Sequence, residues 1–307
     1  MASLVAKRLV GVDIRKDNPT DKHFGKKLTT VYKEIERYEG VPKRQEPYTV
    51  SMLQEASRRA ERTDDWLGED VAMFDWMVFG LNGGFRRCEW CQPSDFFGDP
   101  KYVQKNLFGD TMAFILADLE IQINDKTIVT GYAMAYVSDE QAMYLWLIHR
   151  AQKNGCHGER RVYAKNTDPK GFCMIRATLR IVRRFVRLMG TKDKTTPLAV
   201  FRNQYKKPVL ITSRHVETHM RAAAAAVYNL NPKIKKDQLA LRKWSSHSLR
   251  VGACVILHTQ DFTTSQIKWL LRWRSDSFMI YLRNVAPLAI QHARAIDRAA
   301  AMPNFLG

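Results

Sequence analysis

The sequence predicts a mainly α-helical chain carrying a small antiparallel β-sheet, an α+β class. Three observations predict it. Apolar residues Ile175, Leu179, Val182, Val186 and Met189 recur at spacings of 4, 3, 4 and 3, which is one face of a long helix. A block of short β-rich runs lies between residues 114 and 165, with helical patterns on both sides. Hydrophobic residues make up 45% of the 307, enough for a real core, and charged residues 26%, so a wholly disordered chain is excluded.

The elements follow in order. Residues 1–46 read as a basic, mostly helical segment, with a helix over 26–38 and a linker in Gly40-Val41-Pro42-Lys43-Arg44-Gln45-Glu46-Pro47. Residues 47–307 form the main domain. Thr49 can cap a helix over 50–62, with Met52 and Leu53 as apolar anchors. A second helix fits 69–79 and stops at Gly80-Leu81-Asn82-Gly83-Gly84. Strands fit 114–123 and 127–136, turning at Asn124-Asp125-Lys126, and then 142–149 and 161–164 with a polar hairpin tip over 152–158. Helices fit 172–189, 213–228, 248–259, 264–271 and 288–300.

Charge narrows the function. Lys and Arg number 49 against 31 Asp and Glu, a formal net charge of +18. Such a surplus on a folded chain favours a polyanionic partner, because neutralised phosphates release condensed counterions. No stretch approaches the roughly 18 apolar residues of a membrane span. The opening MASLVAKRLVGVDIRKDN lacks the apolar core and cleavage site of a secretory signal. The expectation is an intracellular protein, nuclear in a eukaryote and otherwise cytoplasmic, with no membrane partner. Of the five cysteines, Cys88 and Cys91 form a single C-x-x-C, and Cys156 precedes His157. That spacing fits a redox pair or half a zinc site, but no second pair completes one, and reduced thiols with no metal are expected.

Five groups of residues can carry chemistry. On the 172–189 helix, Arg176, Arg180, Arg183, Arg184 and Arg187 share the face away from the apolar stripe. Such a face can lie along phosphates, or it can simply be solvated. Arg86 and Glu89 sit three apart just after the glycine break, where a carboxylate can hold a guanidinium that grips an anion with its other donors. Lys153 sits at the hairpin tip, where a turn projects it outward. His247 and Arg250, again three apart, pair a proton-transfer group with a permanent cation. Near the C-terminal end, Trp273 precedes Tyr281 in LLRWRSDSFMIYLR.

The order of these groups resembles the tyrosine recombinase (phage integrase) superfamily. The stretches GFRRCEW, SSHSLRVGA and LLRWRSDSFMIYLR carry the resemblance, which is nearest to the recombinases of Crypton- and DIRS-type mobile elements and spans roughly residues 47–306. It implies that family's catalytic-domain fold with a shortened helical DNA-clamp segment in front. It also implies site-specific strand exchange on double-stranded DNA through a 3′-phosphotyrosine. Arg86 and Arg250 would clamp the non-bridging oxygens of the scissile phosphate, and Tyr281 would be the nucleophile. Lys153 would protonate the departing 5′ oxygen, although Lys165 and Arg150 lie nearby in the sequence. His247 would move a proton or hydrogen-bond the phosphate. Trp273 would occupy the position where the family uses His or Trp, and Glu89 would orient Arg86. The 172–189 arginines would add DNA contacts. The same likeness implies no cofactor, metal, ATP or small-molecule substrate, and a homotetramer on DNA held through the 288–300 helix. Two related activities stay open: a DNA-binding derivative that has lost catalysis, and type IB topoisomerase-like relaxation.

Overall fold

A computed structural model of the chain describes residues 45–96, 98–105, 109–150, 158–191 and 195–282. All lie in the second of the two compact units into which the chain divides, Arg44–Gly307. The helices expected over 26–38 and 288–300, the hairpin tip with Lys153, and the Cys156-His157 pair fall outside the described residues.

The architecture is α+β, helices around a small antiparallel sheet. Helix α1 (Val50–Ala60) starts where Thr49 accepts a hydrogen bond from the Met52 amide. Tyr48, just before it, is fully buried and donates its hydroxyl to the Met52 carbonyl. The Tyr48 amide donates to the Ser248 carbonyl at 2.9 Å, and Trp244 Nε1 donates to the Pro47 carbonyl at 3.2 Å. The chain therefore enters this unit clamped against the segment that later carries His247.

Helix α2 (Glu69–Gly83) runs four residues beyond its expected end at 79. Its glycines do not break it, because they serve close packing: a Cβ on Gly80 would meet the Leu249 side chain at 2.8 Å. The break comes at Gly84, in the left-handed region at φ 54° and ψ 39°, which glycine adopts without penalty.

The sheet contains β1 (Leu119–Gln122), β2 (Ile128–Thr130), β3 (Tyr144–His149) and β4 (Glu159–Ala164), ordered β2-β1-β3-β4 with every pairing antiparallel. Two expected strands are shorter than the sequence suggested. Asp118 accepts from the Ile115 amide at 2.8 Å and turns residues Leu116–Asp118 into a 3-10 helix before β1 can begin. Gly131, at φ +62°, ends β2, and Gly131–Tyr136 continues as 3-10 helix. The expected turn forms as an Asx turn: Asn124 Oδ1 accepts from the amides of Lys126 (3.0 Å) and Thr127 (2.8 Å).

Helix α3 (Met174–Met189) buries Ile175, Leu179, Val182 and Phe185. A two-stranded hairpin of β5 (Val200–Arg202) and β6 (Pro208–Leu210) follows, then α4 (Ser213–Val227), α5 (Lys235–Leu241), α6 (Ser248–Thr259), α7 (Thr264–Leu271) and α8 (Met279–Leu282). The hairpin, α5 and α8 had no counterpart in the sequence expectation. Gly252 lets α6 press on the entry segment, since a Cβ there would meet the Tyr48 carbonyl oxygen at 2.2 Å. A satellite core of Ala253, Cys254, Ile267, Leu271, Phe278 and Leu282 packs α6, α7 and α8 together. Among the described residues, no helix is long and apolar enough to cross a membrane.

Candidate functional site

The segment after α2 builds the floor of the site. Gly84 turns the chain, and one turn of 3-10 helix, Arg87–Glu89, brings the Glu89 carboxylate back onto the Arg86 amide (2.9 Å) and onto Arg86 Nη1 (3.3 Å). The expected Arg86–Glu89 pairing is present, with Arg86 partly exposed and Glu89 buried. Glu89 has a second, stronger partner that the sequence reading did not single out. Arg272 forks onto it, Nη1 to Oε1 at 3.1 Å and Nη2 to Oε2 at 2.8 Å, and Arg272 Nη1 also lies 2.9 Å from His149 Nδ1.

Arg272 is buried and caps α7 in the left-handed region at φ 57°, ψ 46°. Without glycine's freedom, that backbone costs on the order of 1–2 kcal/mol. The bidentate ion pair over a buried carboxylate offsets it.

Helix α6 supplies the other half. His247 is its N-cap and Arg250 lies in its first turn. Arg250 is buried, donates Nη1 to the Gly84 carbonyl and Nη2 to the Leu271 carbonyl (2.9 Å), and lies over the Trp273 ring 4.2 Å from its centroid. One guanidinium thus ties together the ends of α2 and α7. The left-handed turns at Gly84 and Arg272 aim these carbonyls and side chains at a common centre.

The electrostatics follow from three guanidiniums and one carboxylate. Burial alone would raise the Glu89 carboxyl, but the charge and hydrogen bonds of Arg272, with His149 and the Arg86 amide, hold it down at about 2. Burial, and then the charge of Arg86, lower Arg250 to about 10, Arg272 adding to this and Glu89 opposing it. Burial and the Arg272 charge push the His149 imidazole down to about 3, so it is neutral. Burial and the Arg250 charge push His247 below its ordinary value and favour its neutral form at pH 7. Burial raises the Cys254 thiol to about 11, against the Arg250 charge and a hydrogen bond from Trp273. Arg250 thus feels the charges of Arg86 and Arg272, while Arg272 is itself raised, its pairing with Glu89 outweighing burial. Of the three guanidiniums only Arg86 is partly exposed.

Of the sequence-derived residues, Arg86, Glu89, Arg250 and Trp273 gather here, and His247 sits one turn from Arg250. Tyr281 lies in α8, on a turn anchored by buried Phe278 and Leu282. Its side chain is outside the described residues, as is all of Lys153. The neighbouring cations are committed elsewhere. Arg150 donates to Asp118 and to the Ala113 carbonyl, and Lys165 donates to the carbonyls of Asp139 and Glu140.

The arginine face of α3 needs correction. Arg184 is buried and paired with Asp75, and it donates Nε to the Trp66 carbonyl. Arg180 Nε donates to the other Asp75 oxygen at 2.6 Å. Arg183 reaches the carbonyls of Ala135 and Val137, and Arg176 those of Asp168 and Gly171. Of the five, only Arg187 is exposed. The helix packs against α2 and the 131–136 segment, so Arg184 belongs to the core, Arg176, Arg180 and Arg183 are partly buried and hydrogen-bonded within the fold, and Arg187 stays exposed.

Sequence reasoning also missed His149 and Tyr163. His149 reads locally as a strand residue, and it closes β3 beside Arg272. The Tyr163 hydroxyl is buried without a hydrogen-bond partner, and burial raises it to about 12, with the charges of Arg272 and Glu89 acting on it. Beside the cluster, a groove of about 360 Å³ is lined by Glu159, Arg161, Lys268, Trp269, Arg272 and Arg274, among others. Among the described residues, no group of three or more His, Cys, Asp or Glu side chains could hold a metal ion. The chain matches no protein-family model, and no curated protein matches it significantly.

Proposed function

We propose that the chain is a DNA strand-exchange enzyme of the tyrosine recombinase type, acting on double-stranded DNA. The observation that carries the reading is the gathering of Arg86, Arg250 and Arg272 around the single carboxylate of Glu89, in a chain of net charge +18. Such a centre offsets the charge of a phosphodiester and of the more highly charged transition state at phosphorus. In the proposed reaction the Tyr281 oxygen attacks phosphorus, forming a phosphotyrosine bond and breaking the bond to the 5′ oxygen. The phenol gives up its proton to the neutral imidazole of His247 or to water, and Lys153 supplies one to the departing oxygen. Ligation is the reverse attack by a 5′-hydroxyl of another strand, so the phosphodiester energy is conserved. Assembly on DNA would be homotetrameric through residues 288–300, in the compartment that holds the DNA.

The test begins with selection of a preferred duplex from a randomised library. That duplex is then nicked next to the cleavage position, so that religation is blocked. Wild-type protein should give a detergent-resistant protein–DNA adduct, and Tyr281→Phe should bind equally and give none. Binding without any adduct would instead make the chain a DNA-binding derivative. Relaxation of supercoiled plasmid regardless of sequence would make it a topoisomerase.

A further inference from the structure

Trp269 stands out on the surface of the described residues. It lies on α7, one turn before Arg272, and 58% of it is exposed. The Arg161 guanidinium, from β4, covers its ring at 4.4 Å from the centroid. Arg161 is itself held by Glu159, and its Nε is buried without a hydrogen-bond partner. Trp269 and Arg161 line the 360 Å³ groove together with Arg272 and Trp273 of the arginine cluster. Arg161, Lys268, Arg272 and Arg274 line it with Glu159, and three of these cations are paired, Arg161 with Glu159, Lys268 with Asp276 and Arg272 with Glu89.

Each feature narrows the occupant. A large indole left exposed beside an arginine is a stacking surface for a flat ring, and every nucleobase presents such a face. A phosphate attached to that ring would meet the arginine and lysine side chains of the lining. The volume is at the small end of ligand sites and suits one planar group with its phosphate, not a folded segment. A base that is paired and stacked in a duplex cannot insert, so the base must be unpaired.

We infer that Trp269 and Arg161 form a stacking site for one unpaired nucleobase, next to the phosphate held by the arginine cluster. The inference rests on the DNA reading above and adds to it a preference for locally opened strands. It involves no covalent step.

The test measures anisotropy of a fluorescein-labelled paired duplex, and of the same duplex carrying a short unpaired bulge, with the full chain. Wild-type protein should bind the bulged duplex about tenfold more tightly, as one added base–aromatic stack predicts. Trp269→Ala, at an exposed position, should keep the fold by circular dichroism, bind the paired duplex as before and lose the preference. Trp269→Phe should keep most of it. Equal binding of both duplexes by wild type, or a preference that survives Trp269→Ala, overturns the stacking site and leaves the DNA reading standing. Failure to bind either duplex overturns both. A change in oligomeric state on Trp269→Ala, with no change in the preference, makes the surface a contact between copies of the chain and also overturns the inference.

Discussion

Arg272 and Glu89, 183 residues apart in the chain, meet as a buried two-point fork at 3.1 and 2.8 Å. The fork fixes the end of α7 to the turn after α2, so it sets where Arg86 and Trp273 stand relative to each other. Arg272 holds this contact from a left-handed backbone. Two substitutions separate side chain from backbone. Arg272→Ala should lose about 3–5 kcal/mol, because it leaves Glu89 buried and without its main partner. Arg272→Gly loses the same pair but relaxes the backbone, so it should be about 1 kcal/mol more stable than the alanine variant. Urea denaturation decides between them; an alanine variant as stable as the glycine one would contradict the strain.

The same cluster predicts an acid limb. Glu89 has a depressed pKa in the fold, about 2 against an ordinary 4.5, so its contribution is present above pH 4.5 and fades as pH falls toward 2. His149 is depressed to about 3 from 6.5, so the unfolded chain takes up a proton that the folded chain refuses, and stability falls between pH 6.5 and 3. The decline should begin near pH 6.5, before most carboxylates titrate. His149→Asn keeps an acceptor for Arg272 without the titrating ring, and should make the curve shallower between pH 6.5 and 4.5, the remaining slope coming from His247 and His215, which burial also lowers. Thermal melts across that range give the answer, and an unchanged slope in the variant would remove His149 from the explanation.

Asp75 is fully buried in α2 and is shared by Arg180 and Arg184 of α3. Removing it strands two cations, one of them buried, so Asp75→Ala should cost about 3–5 kcal/mol. Arg187→Ala on the same helix is exposed and should stay within about 0.5 kcal/mol. Chemical denaturation of both variants tests the corrected view of this helix; similar midpoints would restore the picture of a solvated basic face.

What was legible in the sequence was local. Helices α6 and α7 match their expected ranges because periodicity and caps lie within the segment, as with Thr263 accepting from the Gln266 amide. The β3–β4 pair was readable from its apolar run and polar tip. The three-residue strands β5 and β6 are too short to show alternation. Arg184 was misread because a helical wheel gives the direction of a side chain but not its neighbour. The signal that could have corrected it was Asp75, a lone carboxylate in the apolar run VAMFDWMVF, which needs a buried cation. At the site, Arg86, Glu89, Arg250 and Trp273 were found through short spacings and their order. Arg272 was not, because its role depends on a partner far away in the chain and on a positive φ that sequence suggests only at glycine.

Gly252 tests how tightly the segment at Tyr48 and α6 are matched. An added Cβ would meet the Tyr48 carbonyl oxygen at 2.2 Å, and that carbonyl belongs to backbone held in place by the hydrogen bond from the Tyr48 amide to the Ser248 carbonyl. Gly252→Ala should therefore cost about 1–3 kcal/mol despite alanine's better helix propensity. A stability gain in urea would mean that the segment at Tyr48 can lift away from α6.

Arg86 and Arg250 predict different consequences from the same substitution, and the difference separates scaffold from chemistry. Arg250 is buried, ties Gly84 to Leu271 and lies over Trp273, so Arg250→Ala should lose several kcal/mol and disturb the whole site. Arg86 is partly exposed, and Glu89 keeps Arg272 when it is gone. Arg86→Ala should therefore stay within about 1 kcal/mol of wild type. If Arg86 holds a non-bridging oxygen in the transition state, the rate of adduct formation on the nicked duplex should still fall on the order of 10²-fold, with duplex binding changed far less. Adduct rate, binding and urea midpoint, measured together on Arg86→Ala, give the three readings needed. A stable variant that forms the adduct at the wild-type rate would remove Arg86, the one partly exposed arginine of the cluster, from the anion-holding set and count against the clamp reading.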